Sequence, residues 1–170
     1  MLTATDNANA FNSNTDTQSS AEKNLSAFLM LIRNGESSLD DDLAFTMLFG
    51  GSHFDNGFVD HPRTIITVMT AKGPLRSDAA GAFQILSKTW DWVNTHLHLP
   101  DFSRASQIKA AIWLITYRGG YPAAIAGDVK TAIDKCKLEW ASLPGSTYGQ
   151  PTQAYSDALQ VYSQYGGTLA

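Results

Sequence analysis

The chain has 170 residues, enough for one domain with a sizeable core, and 44% of them are hydrophobic, which excludes a mainly disordered chain. The formal net charge of −4 gives no general attraction to nucleic acid or to anionic lipid, so we expect neither as a partner. The single cysteine, Cys136, excludes an internal disulfide, and no apolar run reaches the roughly 18 residues that a membrane span needs, so we expect no stable membrane insertion.

Residues 1–20 are rich in Asn, Thr, Ser and Asp and contain few bulky apolar residues. Such a segment cannot bury enough surface to offset the entropy lost on ordering. We therefore predict a flexible amino-terminal arm over 1–20, favouring a solvated extension over a binding role, and a folded domain over 21–170. The arm lacks the charged-then-apolar order of a signal peptide, so we expect synthesis in a cytoplasm.

The folded part is predicted to begin with a helix. Ser19 and Glu22 have the spacing of a capping box, and an apolar stripe with helical periodicity follows them. The pair Asn34-Gly35 predicts the end of this helix.

Glu36 is one of only three glutamates in the chain and directly follows that predicted helix end. A carboxyl group at this point feels the negative end of the helix dipole, which disfavours its ionised form and raises its pKa. A raised pKa suits a general acid that works near neutral pH. A solvated turn residue is the ordinary alternative, so further residues are needed to indicate a site.

The next segments favour a small antiparallel sheet. Residues 43–49 and 64–69 are rich in aromatic or β-branched residues. The turn signals Gly50-Gly51 and Asp55-Asn56-Gly57 lie between them, and they predict a long exposed loop.

The second half of the chain predicts helices over 87–97, 103–117, 128–140 and 154–165. Cys136 falls on an apolar stripe of the third, and we predict a core residue rather than a nucleophile. The chain is thus predicted to be α+β, with helices supplying most of the core.

Residues 79–86 could share a site with Glu36. The small residues at 79–82 allow a ligand to approach the backbone closely, and Gln84 offers amide donors and an acceptor.

Several short motifs extend this pattern in order along the chain. They are Ala27-Phe28-Leu29 before Glu36, Asp60-His61-Pro62-Arg63, residues 80–86, Asp101-Phe102-Ser103, Arg118-Gly119, Gly127-Asp128, Ala132-Ile133-Asp134, residues 140–145 and Tyr148-Gly149-Gln150. Together, from about Ala21 to Thr168, they resemble the phage lambda type of endolysins, which are lysozyme-like lytic transglycosylases.

The resemblance implies a lysozyme-like fold with a mainly helical lobe, a small antiparallel β lobe and a groove between them that binds the glycan strands of peptidoglycan. It also implies that Glu36 is the catalytic acid that cleaves the β-1,4 bond between N-acetylmuramic acid and N-acetylglucosamine. The pair Glu36-Ser37 and the later Gly81-x-x-Gln84 fit a pattern of the wider superfamily. The chain departs from the family at Phe83, where the lambda-type enzyme has tyrosine, at Ser37, where it has glycine, and in the length of the loop before Asp60.

The number of carboxylates separates two reactions. A paired-carboxylate hydrolase needs a second acid, at about 5–5.5 Å for a nucleophile or about 6.5–9.5 Å for a base that activates water. A transglycosylase can act with one, so we predict that reaction, with a hydrolytic muramidase as the alternative. Asp60 is the best second carboxylate, although its neighbours favour a structural turn with Arg63, and Asp55 is weaker. An inactive wall-binding phage module is a third hypothesis, against which Glu36 and Gln84 argue.

Sugars bind beside aromatic rings and polar groups, because a pyranose has both apolar and hydroxyl surfaces. The predicted substrate contacts are Ser37, Asp60, Phe83, Gln84, Tyr117 and Tyr148, of which Tyr148 matches the family's Tyr-Gly-Gln. We predict no metal and no cofactor, since His96 and His98 do not share a helical face. We expect a monomer that accumulates in the host bacterial cytoplasm and, as the resemblance implies, reaches the wall through holin lesions.

Overall fold

The computed structural model describes residues 18–147 and 151–170, so the predicted contact Tyr148 and most of the predicted arm lie outside the described residues. The elements are α1 Ser20–Glu36, α2 Asp41–Ala44, β1 Ile66–Thr70, β2 Gly73–Ser77, α3 Ser87–Leu97, α4 Arg104–Tyr117, α5 Tyr121–Ala126, α6 Val129–Cys136 and α7 Tyr155–Gln164. No helix among the described residues is long and apolar enough to cross a membrane. Helices with one small antiparallel sheet agree with the predicted α+β class.

The start of α1 is confirmed by its capping box. The Ser19 hydroxyl accepts a hydrogen bond from the Glu22 backbone N–H at 3.3 Å, and the Glu22 carboxylate accepts one from the Ser19 backbone N–H at 2.8 Å. The predicted end at Asn34-Gly35 is two residues too early, because α1 continues to Glu36. Gly35 serves close packing here, since an added Cβ would lie 2.4 Å from the Ser142 hydroxyl.

The core is built around α1, which packs against α5 and α7. One face of α1 is fully buried at Ala27, Phe28, Leu31 and Ile32, as its apolar stripe predicts. Burying one such large side chain contributes about 1.5–3 kcal/mol. The prediction that Cys136 belongs to the core is confirmed, and burial raises the pKa of its thiol to about 12.

The strand predicted over 43–49 is wrong. The chain forms the short helix α2 there, because the Asp40 carboxylate caps the backbone N–H groups of Asp42 and Leu43 at 2.8 and 3.3 Å. A 2.7 Å ion pair between Arg33 and Asp41 also holds α2 against α1. Local capping thus outweighs the β propensity of this segment, which retains only isolated bridges at Met47 and Leu48.

The sheet is a hairpin of neighbouring strands. The strand predicted over 64–69 is present as β1, and it pairs antiparallel with β2 from Ile66 opposite Ser77 to Thr70 opposite Gly73. The sequence of β2 contains Gly73 and Pro74, residues that are rare in strands, and gave no strand signal.

The segment over residues 50–63 is mostly exposed, as predicted, but two of its side chains are buried. Phe54 and His61 are buried, and the His61 Nε2–H donates to the Ile85 carbonyl at 2.8 Å, so this histidine fixes the loop to the 79–86 segment.

Two features of the helices also differ from the prediction. The short α5 was not predicted, and α6 ends at Cys136 rather than at residue 140.

Candidate active site

Glu36 lies in a cleft with a volume of about 530 Å³ between the helical part and the β part of the molecule. The helical wall consists of Gly35, Glu36, Glu139, Ala141, Ser142 and Pro151. The opposite wall consists of residues 47–51 and 75–77, together with Ala79, Gln84 and Leu86. The structure therefore brings Glu36 and Gln84 together at one cleft, as the sequence predicts.

The partly buried carboxyl group of Glu36 has Ser142 as its hydrogen-bonding partner among the described residues. The Ser142 hydroxyl donates to Oε1 at 2.6 Å, and its backbone N–H donates to the same oxygen at 3.2 Å. Burial raises the pKa of Glu36 above its ordinary value, and the two Ser142 donors lower it by a smaller amount. The raised pKa favours the neutral form that a general acid needs.

Ser142 is held in place by Gln153, which ties it to the last turns of α1. The Gln153 backbone N–H donates to the Ser142 carbonyl at 2.8 Å, and its side-chain amide donates to the Leu31 carbonyl at 3.1 Å. The Gln153 side-chain oxygen accepts from the Asn34 amide at 2.8 Å. Ser142 and Gln153 lie more than 100 residues from Glu36 in sequence, and although Ser142 falls in the 140–145 motif, the sequence did not predict that either residue would support Glu36.

Ser142→Ala is expected to raise the pKa of Glu36 further, because it removes a hydroxyl that stabilises the carboxylate. The general acid would then stay protonated to higher pH, so the alkaline limb of the pH profile of kcat/KM should move upward. The free energy of unfolding should fall by about 1 kcal/mol for the lost hydrogen bond.

Ser146→Ala is the matched control, since the Ser146 hydroxyl has no hydrogen-bond partner in the described part of the chain. An alkaline limb that moves downward in Ser142→Ala, or that moves equally in both variants, would contradict the role given to Ser142.

The 79–86 segment forms a tight loop whose ends pair at Ala80 and Ile85 through hydrogen bonds of 3.0 and 3.1 Å. The Ser37 hydroxyl donates to the Ala82 carbonyl at 2.7 Å, which fixes the residue after Glu36 to this loop. Gly81 is required at its tip, because its φ is +78° and an added Cβ would lie 2.2 Å from the Gln107 side-chain oxygen.

Gln84 has a left-handed backbone conformation with φ +44°, which is uncommon for a residue with a side chain. Its side-chain amide donates to the Gly81 carbonyl at 3.0 Å and to the Met47 carbonyl at 3.3 Å. These bonds stabilise the conformation and leave the side-chain oxygen at the cleft as an acceptor for a ligand.

The two described aromatic residues predicted to contact substrate do not line the Glu36 cleft. Phe83 is 1% exposed and belongs to the core, where its carbonyl accepts from the Trp140 indole N–H at 3.1 Å. Its ring therefore offers no surface on which a sugar could stack. Tyr117 is 57% exposed at the end of α4, where it contacts Trp92 and Trp113.

Asp60 lies in a structural network rather than in the cleft. Its carboxylate accepts from the Arg63 guanidinium at 3.0 Å and from the Trp90 indole N–H at 2.9 Å, and Arg63 also pairs with Asp91 at 2.6 Å. Burial raises the pKa of Asp60, but hydrogen bonds from the His61 backbone, Arg63 and Trp90 together outweigh it and lower the pKa. These contacts favour the structural role over catalysis.

The second carboxylate in the cleft is Glu139, which the sequence did not indicate. It forms a 2.7 Å ion pair with Arg118, and its side chain is 12% exposed. Two signals could have found it, since Glu139 is one of the three glutamates and immediately precedes the motif that begins at Trp140.

A helical lobe, a small β lobe and a partly buried acid at the cleft between them define a lysozyme-like protein, and solved structures support this class. The chain is similar to bacteriophage lambda lysozyme complexed with a chitohexasaccharide, with a TM-score of 0.78 and 33% identity, over 87% of this chain and 97% of that one. A second structure of lysozyme from bacteriophage lambda gives a TM-score of 0.74 at the same identity and coverage.

Sequence comparisons identify the family. A family model described as Endolysin matches residues 26–169. The endolysin of Escherichia phage lambda is 38% identical over 125 residues, 74% of this chain and 77% of the relative. The endolysin of Escherichia phage P2 is 33% identical over 159 residues, 87% of this chain and 96% of the relative. The chain belongs to the endolysin family, the phage enzymes that degrade bacterial peptidoglycan.

Proposed function

We propose that this endolysin is a lytic transglycosylase, which cleaves the β-1,4 bond between N-acetylmuramic acid and N-acetylglucosamine and forms a 1,6-anhydro sugar. The observation that carries the proposal is the environment of Glu36. Burial raises its pKa, and among the described residues no cation contacts its carboxyl group to stabilise the ionised form. One such acid can first donate a proton and then accept one.

In the first half of the reaction, neutral Glu36 donates its proton to the bridging oxygen, and the bond from that oxygen to C1 of N-acetylmuramic acid breaks. In the second half, the C6 hydroxyl oxygen of the same sugar bonds to C1, and its proton passes to the Glu36 carboxylate. The acid is restored and no water is consumed. Ser142 supports both halves, because its two donors keep the carboxyl group in one orientation and stabilise the carboxylate between them.

The proposed ligand of the cleft is a peptidoglycan glycan strand. The chitohexasaccharide bound by lambda lysozyme, a protein with the same fold, supports a glycan as the ligand. The cleft geometry favours the Gln84 side-chain oxygen as a polar contact to the glycan. Ser37 supports the cleft through its hydrogen bond to the Ala82 carbonyl. The predicted contact from the Phe83 ring is not part of the proposal, because that ring is buried. The contacts from Asp60, Tyr117 and Tyr148 stay predictions, as do a monomeric state and release from the host cytoplasm through holin lesions.

A hydrolytic muramidase is the second candidate, and the presence of Glu139 in the cleft favours it. A hydrolase needs a second carboxylate that can act on water or on the sugar, and Glu139 is the one described there. Its ion pair with Arg118 argues for the transglycosylase, because the carboxylate oxygen that the guanidinium contacts is less available to act on water or on the sugar.

Mass spectrometry of purified peptidoglycan after digestion distinguishes the two reactions. The transglycosylase should release muropeptides that end in 1,6-anhydro-N-acetylmuramic acid, each lighter by one water than the hydrolytic product. A matched digest with a known muramidase provides the reducing-end standard. Products that end in reducing N-acetylmuramic acid without the anhydro form would refute the transglycosylase and support Glu139 as the second acid.

A further inference from the structure

Four aromatic side chains on α3 and α4 form one cluster, the α3–α4 aromatic cluster, which consists of Trp92, His96, Trp113 and Tyr117. The rings of Trp113 and Tyr117 are stacked, with planes within 7° and centroids 5.5 Å apart. The Trp92 ring meets both of them edge-on at 4.7 Å, and His96 lies 5.0 Å from Trp113. The four rings fix one another in place.

Three members of the α3–α4 aromatic cluster, Trp92, His96 and Tyr117, are exposed to solvent, whereas Trp113 is partly buried and packs against the core. Tyr117 is 57% exposed and Trp92 is 37% exposed, whereas Trp90 on the same helix α3 is 1% exposed. The indole N–H groups of Trp92 and Trp113 have no hydrogen-bond partner among the described residues, although the N–H groups of Trp90 and Trp140 both have one. Core packing therefore does not explain the exposed rings of Trp92 and Tyr117, and exposed aromatic patches are typical of binding sites.

A chain of contacts joins the α3–α4 aromatic cluster to the cleft that contains Glu36. The Arg118 guanidinium lies 5.7 Å from the centroid of the Tyr117 ring. The same guanidinium forms the 2.7 Å ion pair with Glu139, which lines the cleft. The Tyr117 ring therefore lies two side-chain contacts from the lining of the cleft.

We propose that the α3–α4 aromatic cluster is a second glycan-binding site, which contacts the part of a long strand that extends beyond the cleft. Aromatic faces suit the C–H surface of a pyranose, and the free indole N–H groups and the Tyr117 hydroxyl suit its hydroxyl groups. The inference rests on the proposed function, since the ligand is the same glycan strand. It gives the predicted substrate contact Tyr117 a place outside the cleft.

The test measures binding in a Glu36→Gln parent, so that the ligand is not cleaved. Two ligands are compared by calorimetry: purified soluble glycan strands and a fragment of two disaccharide units. Trp92→Ala and Tyr117→Ala should each raise the Kd for long strands by about threefold to tenfold, and the Kd for the fragment by less than about twofold. Tyr155→Ala, at a tyrosine on α7 that is 41% exposed, is the matched control and should alter neither Kd.

Circular dichroism melting checks that each variant is folded, and Tyr117, the more exposed residue, is the safer substitution. A parent that binds no strands would contradict the proposed function itself. If the parent binds but the variants bind strands as tightly as it does, or weaken on both ligands equally, the proposed function stands and the second glycan-binding site is refuted.

Discussion

Glu36→Gln is expected to lower the rate of peptidoglycan cleavage by about a thousandfold, within the range that general acid catalysis contributes. The amide has the same shape and can still accept hydrogen bonds from Ser142, but it can neither donate a proton to the bridging oxygen nor accept one from the C6 hydroxyl. The measurement is the initial rate of turbidity loss on permeabilised cells, together with muropeptide release from purified walls.

The loss should not come from unfolding. The pKa of Glu36 is higher in the folded protein than its ordinary value, so the folded state binds its proton more tightly than the unfolded state does. Stability from this group is therefore lost as the pH rises through that raised pKa, and above it the partly buried carboxylate destabilises the fold. Glu36→Gln should consequently be at least as stable as the parent above that pH.

Glu22→Gln is the matched control, because it makes the same substitution at the other end of α1. Glu22 closes the exposed capping box, so its loss should reduce the stability of α1 slightly and leave the rate of cleavage near that of the parent. A Glu36→Gln variant that retained more than about a tenth of the parent rate would exclude Glu36 as the general acid.

Local signals explain what the sequence predicts well. The capping box at Ser19 and the apolar stripe of α1 depend on residues a few positions apart, and together they place Glu36 at the end of the helix. The small residues at 79–82 likewise predict a close approach to the backbone, and Gly81 and Gln84 form the tight loop there through left-handed conformations.

Contacts between distant segments explain what the sequence does not predict. Ser142 reaches Glu36 across 106 positions, and Glu139 lines the cleft from beyond the end of α6, which ends earlier than its apolar pattern indicates. The burial of Phe83 also depends on contacts between distant segments. The sequence pattern beside Gln84 suits a groove residue and a core residue equally well. Pattern alone assigns a residue to an element, but not to its partners.

Gln107 supports the cleft from within the core and is fully buried. Its side-chain oxygen accepts from the Ala82 backbone N–H at 2.9 Å, and its amide donates to the carbonyls of Phe45 and Phe102 at 3.0 and 2.8 Å. One side chain on α4 thus joins the 79–86 segment, the turn after α2 and the loop before α4. It also occupies the space that the absence of a Cβ at Gly81 provides.

Gln107→Leu is expected to lower the free energy of unfolding by about 3 kcal/mol or more, because three buried backbone groups lose their partners at about 1–3 kcal/mol each. In a chain of this length that corresponds to a fall in Tm of about 6–12 °C. Gln160→Leu is the matched control, since Gln160 lies exposed on α7 and should alter Tm little.

The same variant also tests how the cleft is supported. Because Ala82 accepts from Ser37 as well as donating to Gln107, loosening this loop should disturb the residue next to Glu36 and lower kcat at temperatures where the variant is still folded. Thermal denaturation measures the loss of stability, and the rate of cleavage at 20 °C below each variant's Tm measures the loss of activity in the folded protein. A loss of stability under about 1 kcal/mol would mean that the backbone groups find other partners, and that Gln107 does not support the cleft.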